Sequence, residues 1–189
     1  MNLKAIVRIY ARDIRPQAQA ELDWFRRQST MESAIEQAAL ATNSKGKRYS
    51  HQRRLKKTAL EEARRVLLMN SKTIAQSKSF DDLFSLVETM VEPITGIGEL
   101  YIYDISLRIG AKLHLLPTKV YLHAGTLKGA RALGFEGRVR TLKMSEMPSE
   151  LRQLEPHEIE DVLCIFKADL KAVDVKYTKD EITKRSWCG

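Results

Sequence analysis

Two cysteines, five prolines and nine glycines in 189 residues rule several kinds of protein out. Cys164 and Cys188 cannot build a disulfide framework or a four-thiolate zinc site. Cys164 stands among Val162, Leu163, Ile165 and Phe166 and reads as a small core residue; Cys188, beside the C-terminus, reads as exposed. So little glycine and proline argues against a sandwich of many short strands joined by tight turns. No run approaches the roughly 18 apolar residues of a membrane helix. The stretch from Met1 to Ala11 is short and interrupted by Lys4 and Arg8, unlike a signal peptide. The expectation is a reducing, cytoplasmic compartment and no membrane partner. His51, His114, His123 and His157 show no metal-ligand spacing, so neither a metal nor another cofactor is expected.

What the chain does have is apolar content and helix formers. With 43% apolar residues a packed core is within reach. The expected fold is mainly α, a single helical domain over residues 1–189, with residues 3–11 open between a short N-terminal strand and the start of a helix.

The net charge of +8 is unevenly laid out. Residues 1–80, a basic N-terminal half, carry 17 Lys or Arg against 7 Asp or Glu. Residues 81–107 hold six acids and no base, residues 108–143 eight bases and only Glu136, and residues 144–189 an acidic excess of three. The densest block is Lys45 to Lys57, with seven bases in thirteen positions and no acid. Such a cluster attracts a polyanion and releases its counterions on binding.

Local signals place the elements. Pro16 suits a helix start, and Thr30 is a candidate cap for a helix to Ala41. Asn43 to Lys47 is a loop, followed by an amphipathic helix with Leu55, Ala59, Ala63, Val66 and Leu67 on its core face. Ser79 caps a helix to about Met90, with Asp81 and Asp82 in its first turn. After a turn at Pro93 to Gly98 a long helix runs to Leu113. A short apolar piece at Val120 to Leu122 precedes a break at His123, where Thr126 would cap a helix ended by Gly134. Pro156 opens a last helix to about Leu170, and the final ten or so polar residues are expected to fray.

Ile94-Thr-Gly-Ile-Gly98 between two helices resembles the hairpin of the helix-hairpin-helix DNA-binding family over residues 80–113. Glycines at 96 and 98 permit a tight turn and let a phosphate approach, and the amides opening the next helix favour an anion. The resemblance implies a DNA-binding element. Glu99 follows the hairpin where family members often carry Pro or Arg. The same architecture occurs in base-excision DNA glycosylases, whose catalytic Asp lies well beyond the hairpin. Here Asp104 is six residues past Gly98 and the next Asp is Asp161.

These readings converge on a protein that binds DNA, duplex before RNA, through the phosphate backbone and without strong sequence preference. The expected contacts are Lys45, Lys47, Arg48, His51, Arg53, Arg54 and Lys57, the hairpin glycines Gly96 and Gly98, Arg108, and a loop-helix patch of Thr126, Lys128 and Arg131. Lys112, Lys119, Arg138 and Arg140 would extend that surface. Asp104 and Arg108 are spaced for a helix ion pair. Tyr101, Tyr103 and Tyr121 fit apolar packing better than base stacking. Two other readings stand beside this one. A glycosylase-like or other nucleic-acid-processing enzyme would use Asp104, His123 and Lys128; a helical interaction module would dock an acidic protein on the basic loop.

Overall fold

The computed structural model describes residues 2–136 and 139–173. Arg138, Cys188 and the C-terminal residues expected to fray lie outside the described residues. The protein is mainly helical, and its chain divides into two compact units, one made of residues up to Pro16 and from Thr118 onward, the other of Gln17–Pro117. Packing thus divides the chain at 17 and 118, whereas charge divides it at 80, 107 and 143. No helix of the described residues is long and apolar enough to cross a membrane.

The first unit opens with α1, Leu3–Ile9, capped by the Asn2 side chain, which accepts from the Ala5 amide at 2.9 Å. Residues 3–11 are therefore helical, and the N-terminal strand does not form. A π turn at Tyr10–Ile14, in which the Arg15 amide donates to the Tyr10 carbonyl, leads into α2, Arg15–Arg26. Pro16 therefore does not start a new helix. It sits just after the widened turn, which accommodates a ring that has no N–H and crowds the turn before it. Beyond Thr118 come β1, Val120–Tyr121, α8, Ala124–Ala132, β2, Thr141–Leu142, and α9, Pro156–Ile165. The two strands pair antiparallel, Val120 opposite Leu142 and Tyr121 opposite Thr141. The core joins Leu3, Ile6, Val7 and Tyr10 to Val120, Leu133, Leu151, Ile159, Val162 and Leu163.

Helices α8 and α9 pack closely because α8 carries glycine at the crossing. A Cβ on Gly129 would stand 2.1 Å from the Leu163 carbonyl oxygen, and one on Gly125 would meet the Cys164 sulfur at 2.9 Å. Cys164 is half-buried against that glycine rather than fully in the core. The acids that α9 turns inward each have a partner. Arg15 donates twice to Glu158 at 2.6 and 2.7 Å, the Tyr10 hydroxyl donates to Asp161 at 2.9 Å, and His123 Nε2 lies 2.5 Å from Glu160.

In the second unit α3, Met31–Ala39, starts at Thr30, whose hydroxyl accepts from the Ser33 amide at 3.0 Å. Then follow α4, Lys57–Met69, α5, Ser71–Ile74, α6, Phe80–Val91, and α7, Glu99–Leu113. Ser79 caps α6 through the Asp82 amide at 3.1 Å. Helix α7 packs on both α3 and α6, while α4 packs on α3 and α6. It is buried nearly all round, at Tyr101, Ile102, Tyr103, Ile105, Ser106, Arg108 and Ile109. A helix in that position has no water on most sides, so any charge it carries must be paired within the protein. Asp104 and Arg108 are such charges.

Candidate nucleic-acid interface

The chain between α3 and α4 folds over that pair. Ala41, fully buried, takes a positive φ of 55° and turns the chain out of α3. Thr42 and Arg48 then form an antiparallel bridge around a turn in which the Asn43 side chain accepts from the amides of Lys45 and Lys47, both at 3.0 Å. Gly46, at φ +69°, closes it.

Helix α2 holds this loop from one side. Glu21 accepts from the Ser44 amide at 3.1 Å, from the Ser44 hydroxyl, and from the Tyr49 hydroxyl at 2.8 Å. Burial works against the Glu21 carboxylate, but the hydrogen bonds from Ser44 and Tyr49 outweigh it and hold its pKa below the ordinary value. Burial pushes the Tyr49 hydroxyl up, although Arg108 opposes the shift.

Helix α7 holds the loop from beneath. The Arg108 guanidinium stacks 3.9 Å from the centre of the Tyr49 ring and donates to Gln52 Oε1 at 3.0 Å. Its Nη2 lies 3.4 Å from Asp104 Oδ2. That same oxygen accepts from Gln52 Nε2 and stands 2.8 Å from His51 Nε2. Side-chain exposure is 7% for Arg108 and 14% for Asp104, against 46% for His51. The result is a buried polar network whose outermost member is an imidazole.

The cations of the block divide accordingly. Arg48 is half-buried, with Nη1 donating to the Leu55 carbonyl at 3.1 Å. Lys45, Lys47, Arg53, Arg54, Lys56 and Lys57 are all exposed, and none is in an ion pair with another described residue. Other arginines of this unit differ: Arg26, Arg64 and Arg65 pair with Asp23, with Glu36 and Glu61, and with Glu62.

Several expected contacts lie elsewhere. Arg108 is 6% exposed and committed to Tyr49, Gln52 and Asp104, so it is a buttress and not a surface cation. Lys112 reaches back to the carbonyls of Arg26 and Gln28 at the end of α2. Thr126 is fully buried. The residue that caps α8 is His123, whose amide donates to Thr126 Oγ1 at 2.7 Å and whose Nδ1 accepts from the Gly125 amide at 3.4 Å. His123 and Thr126 are thereby used in building a helix end. Lys128 and Arg131 are exposed on α8, and Lys119 stands 5.7 Å over the Tyr121 ring, all in the first unit. Asp104 thus belongs to one unit, and His123 and Lys128 to the other. Tyr101, Tyr103 and Tyr121 are buried.

The hairpin between α6 and α7 has Gly96 at φ +94° and Gly98 in extended backbone as the first cap of α7, both with open space beside them. Ile94 and Ile97 are half-buried, while Glu92 and Glu99 are exposed at the same end. The residues that sequence reasoning missed are Glu21 and Gln52, together with the role of Tyr49, which it noted only as the aromatic of the basic block. They carry no motif, since their partners come from distant segments.

The fold defines a mainly helical protein with a basic loop fixed on a buried polar network. No protein-family model, curated protein or solved structure matches the chain.

Proposed function

We propose that the protein binds nucleic acid through the phosphate backbone, largely without regard to sequence, with residues 43–57 as the principal contact surface. Six exposed cations with no acid partner among the described residues, on a loop and helix start fixed from both sides by Glu21, Asp104 and Arg108, are the observation that carries this reading. An anchored loop loses little conformational freedom on binding, so the electrostatic gain is not spent on ordering it. Contacts of this kind read phosphates, so the surface takes duplex DNA and accepts RNA. The α6–α7 hairpin supports the reading as scaffold: α7 carries the buttress of the loop, while Glu92 and Glu99 keep phosphate from the glycines. Lys128 and Arg131 give the first unit a cationic face of its own.

The test is fluorescence anisotropy on a labelled duplex across a salt series. Six neutralised phosphates give a slope of about −5 in log K against log salt. Replacing Lys45, Lys47, Arg53 and Arg54 together by Ala should bring it to about −2. An unchanged slope in that variant, or equal affinity of the parent chain for polyglutamate, would refute the proposal.

A further inference from the structure

Holding a polyanion does not require an oriented imidazole, yet the loop presents one. His51 Nε2 is 2.8 Å from Asp104 Oδ2. A carboxylate only accepts, so Nε2 carries the hydrogen, and in the neutral ring the lone pair then lies on Nδ1. Asp104 is in turn held by Gln52 and Arg108. A base fixed in one tautomer by a carboxylate, itself fixed by further groups, is the orienting half of acid–base machinery. The side chain is 46% exposed, and Arg53 and Arg54, exposed and in no ion pair with another described residue, follow two and three residues on.

We infer that His51 is a general base for the cleavage of RNA lying on this loop, an inference that rests on the nucleic-acid-binding reading above. His51 Nδ1 takes the proton of a ribose 2′-hydroxyl, and the 2′-oxygen attacks the adjacent phosphorus. The bond from phosphorus to the 5′-oxygen breaks, leaving a 2′,3′-cyclic phosphate. The departing 5′-oxygen takes a proton from solvent and the imidazolium releases its own, so protons balance and no other reactant is consumed. Arg53, Arg54 and their neighbours stabilise the charge that builds on the phosphoryl oxygens. Because the substrate supplies its own nucleophile, an open loop suffices and no enclosed pocket is needed. DNA has no 2′-hydroxyl, so it is held and not cut. Asp104 acts as a positioning residue.

The experiment uses the full chain, EDTA, and a DNA strand with one internal ribonucleotide, with binding measured in parallel. Scission at the ribonucleotide, a cyclic phosphate on the product by mass, and no scission when that position is 2′-O-methylated are expected. His51→Ala should lower the rate by about 10²- to 10³-fold, with a much smaller loss of affinity. Added imidazole should restore part of that rate, which no structural role of His51 would allow. Asp104→Asn should lower kcat more than it changes KM and resist imidazole. His51→Gln, exposed and polar, covers the case in which Asp104→Asn does not fold. A strand that is bound but not cut, or cut equally well by His51→Ala, overturns the inference and leaves the binding proposal standing. A strand that is not bound at all overturns both.

Discussion

Asp104→Ala is the substitution through which the anchoring of the basic loop can be weighed. Asp104 and Arg108 have side-chain exposures of 14% and 7%, so water cannot fully replace the lost carboxylate. Removing one partner of a buried pair generally costs about 3–5 kcal/mol. Arg108 keeps Gln52 and the Tyr49 ring, and its separation from Asp104 is a long 3.4 Å, which places the loss near the lower end, about 3 kcal/mol. His51 adds little, being half exposed and easily hydrated. With a urea dependence of about 2 kcal/mol per molar, the unfolding midpoint should fall by about 1.5 M. Pairing Asp104→Ala with Arg108→Met removes the stranded guanidinium and should recover more than half of the loss. A loss below about 1 kcal/mol, or no recovery in the double variant, would show that the loop is not anchored this way.

Four further outcomes follow from the structure. Gly129→Ala drives a Cβ to 2.1 Å from the Leu163 carbonyl oxygen, so α8 and α9 must separate, at a cost of about 3 kcal/mol or more visible as a lowered Tm. In the hairpin, Gly96→Ala at φ +94° should cost about 1–2 kcal/mol, whereas Gly98→Ser gains a capping oxygen for α7 and should be neutral or slightly stabilising by thermal melting. The pKa of Glu21 is depressed, so its contribution is present above the ordinary carboxylate value and is lost as pH falls through the depressed one. Glu21→Gln should therefore be less stable than the parent near neutrality, with the gap closing in acid; a gap that widens in acid would contradict the network.

Much of the frame was legible because it depends on near neighbours in sequence. Thr30, Ser79 and Pro156 start helices where cap chemistry says they should, and the turn at Asn43 to Lys47 follows from Asn and Gly. The spacing of Asp104 and Arg108 announced a pair. It did not reveal that the pair is buried, because this depends on α7 being packed on two sides. Glu21 was silent for the same reason: Ser44 and Tyr49 lie 23 and 28 residues away and meet it only through the fold. Thr126 looked like the cap of α8, yet His123 takes that role because its imidazole is also tied to Glu160, a residue on another helix. At Pro16 the preference for a helix start was overridden by a π turn that let the helical path continue.

The insertion of Gln17–Pro117 between the two pieces of the first unit has a consequence for synthesis. Leu3, Ile6 and Val7 leave the ribosome before the residues that cover them, from Val120 to Leu170. The inserted unit is compact by its own contacts and can close while the apolar side of α1 still waits. For that interval the newborn chain trails a short greasy helix, the natural target of a chaperone. Supplying residues 118–173 earlier, by circular permutation, should shorten the wait.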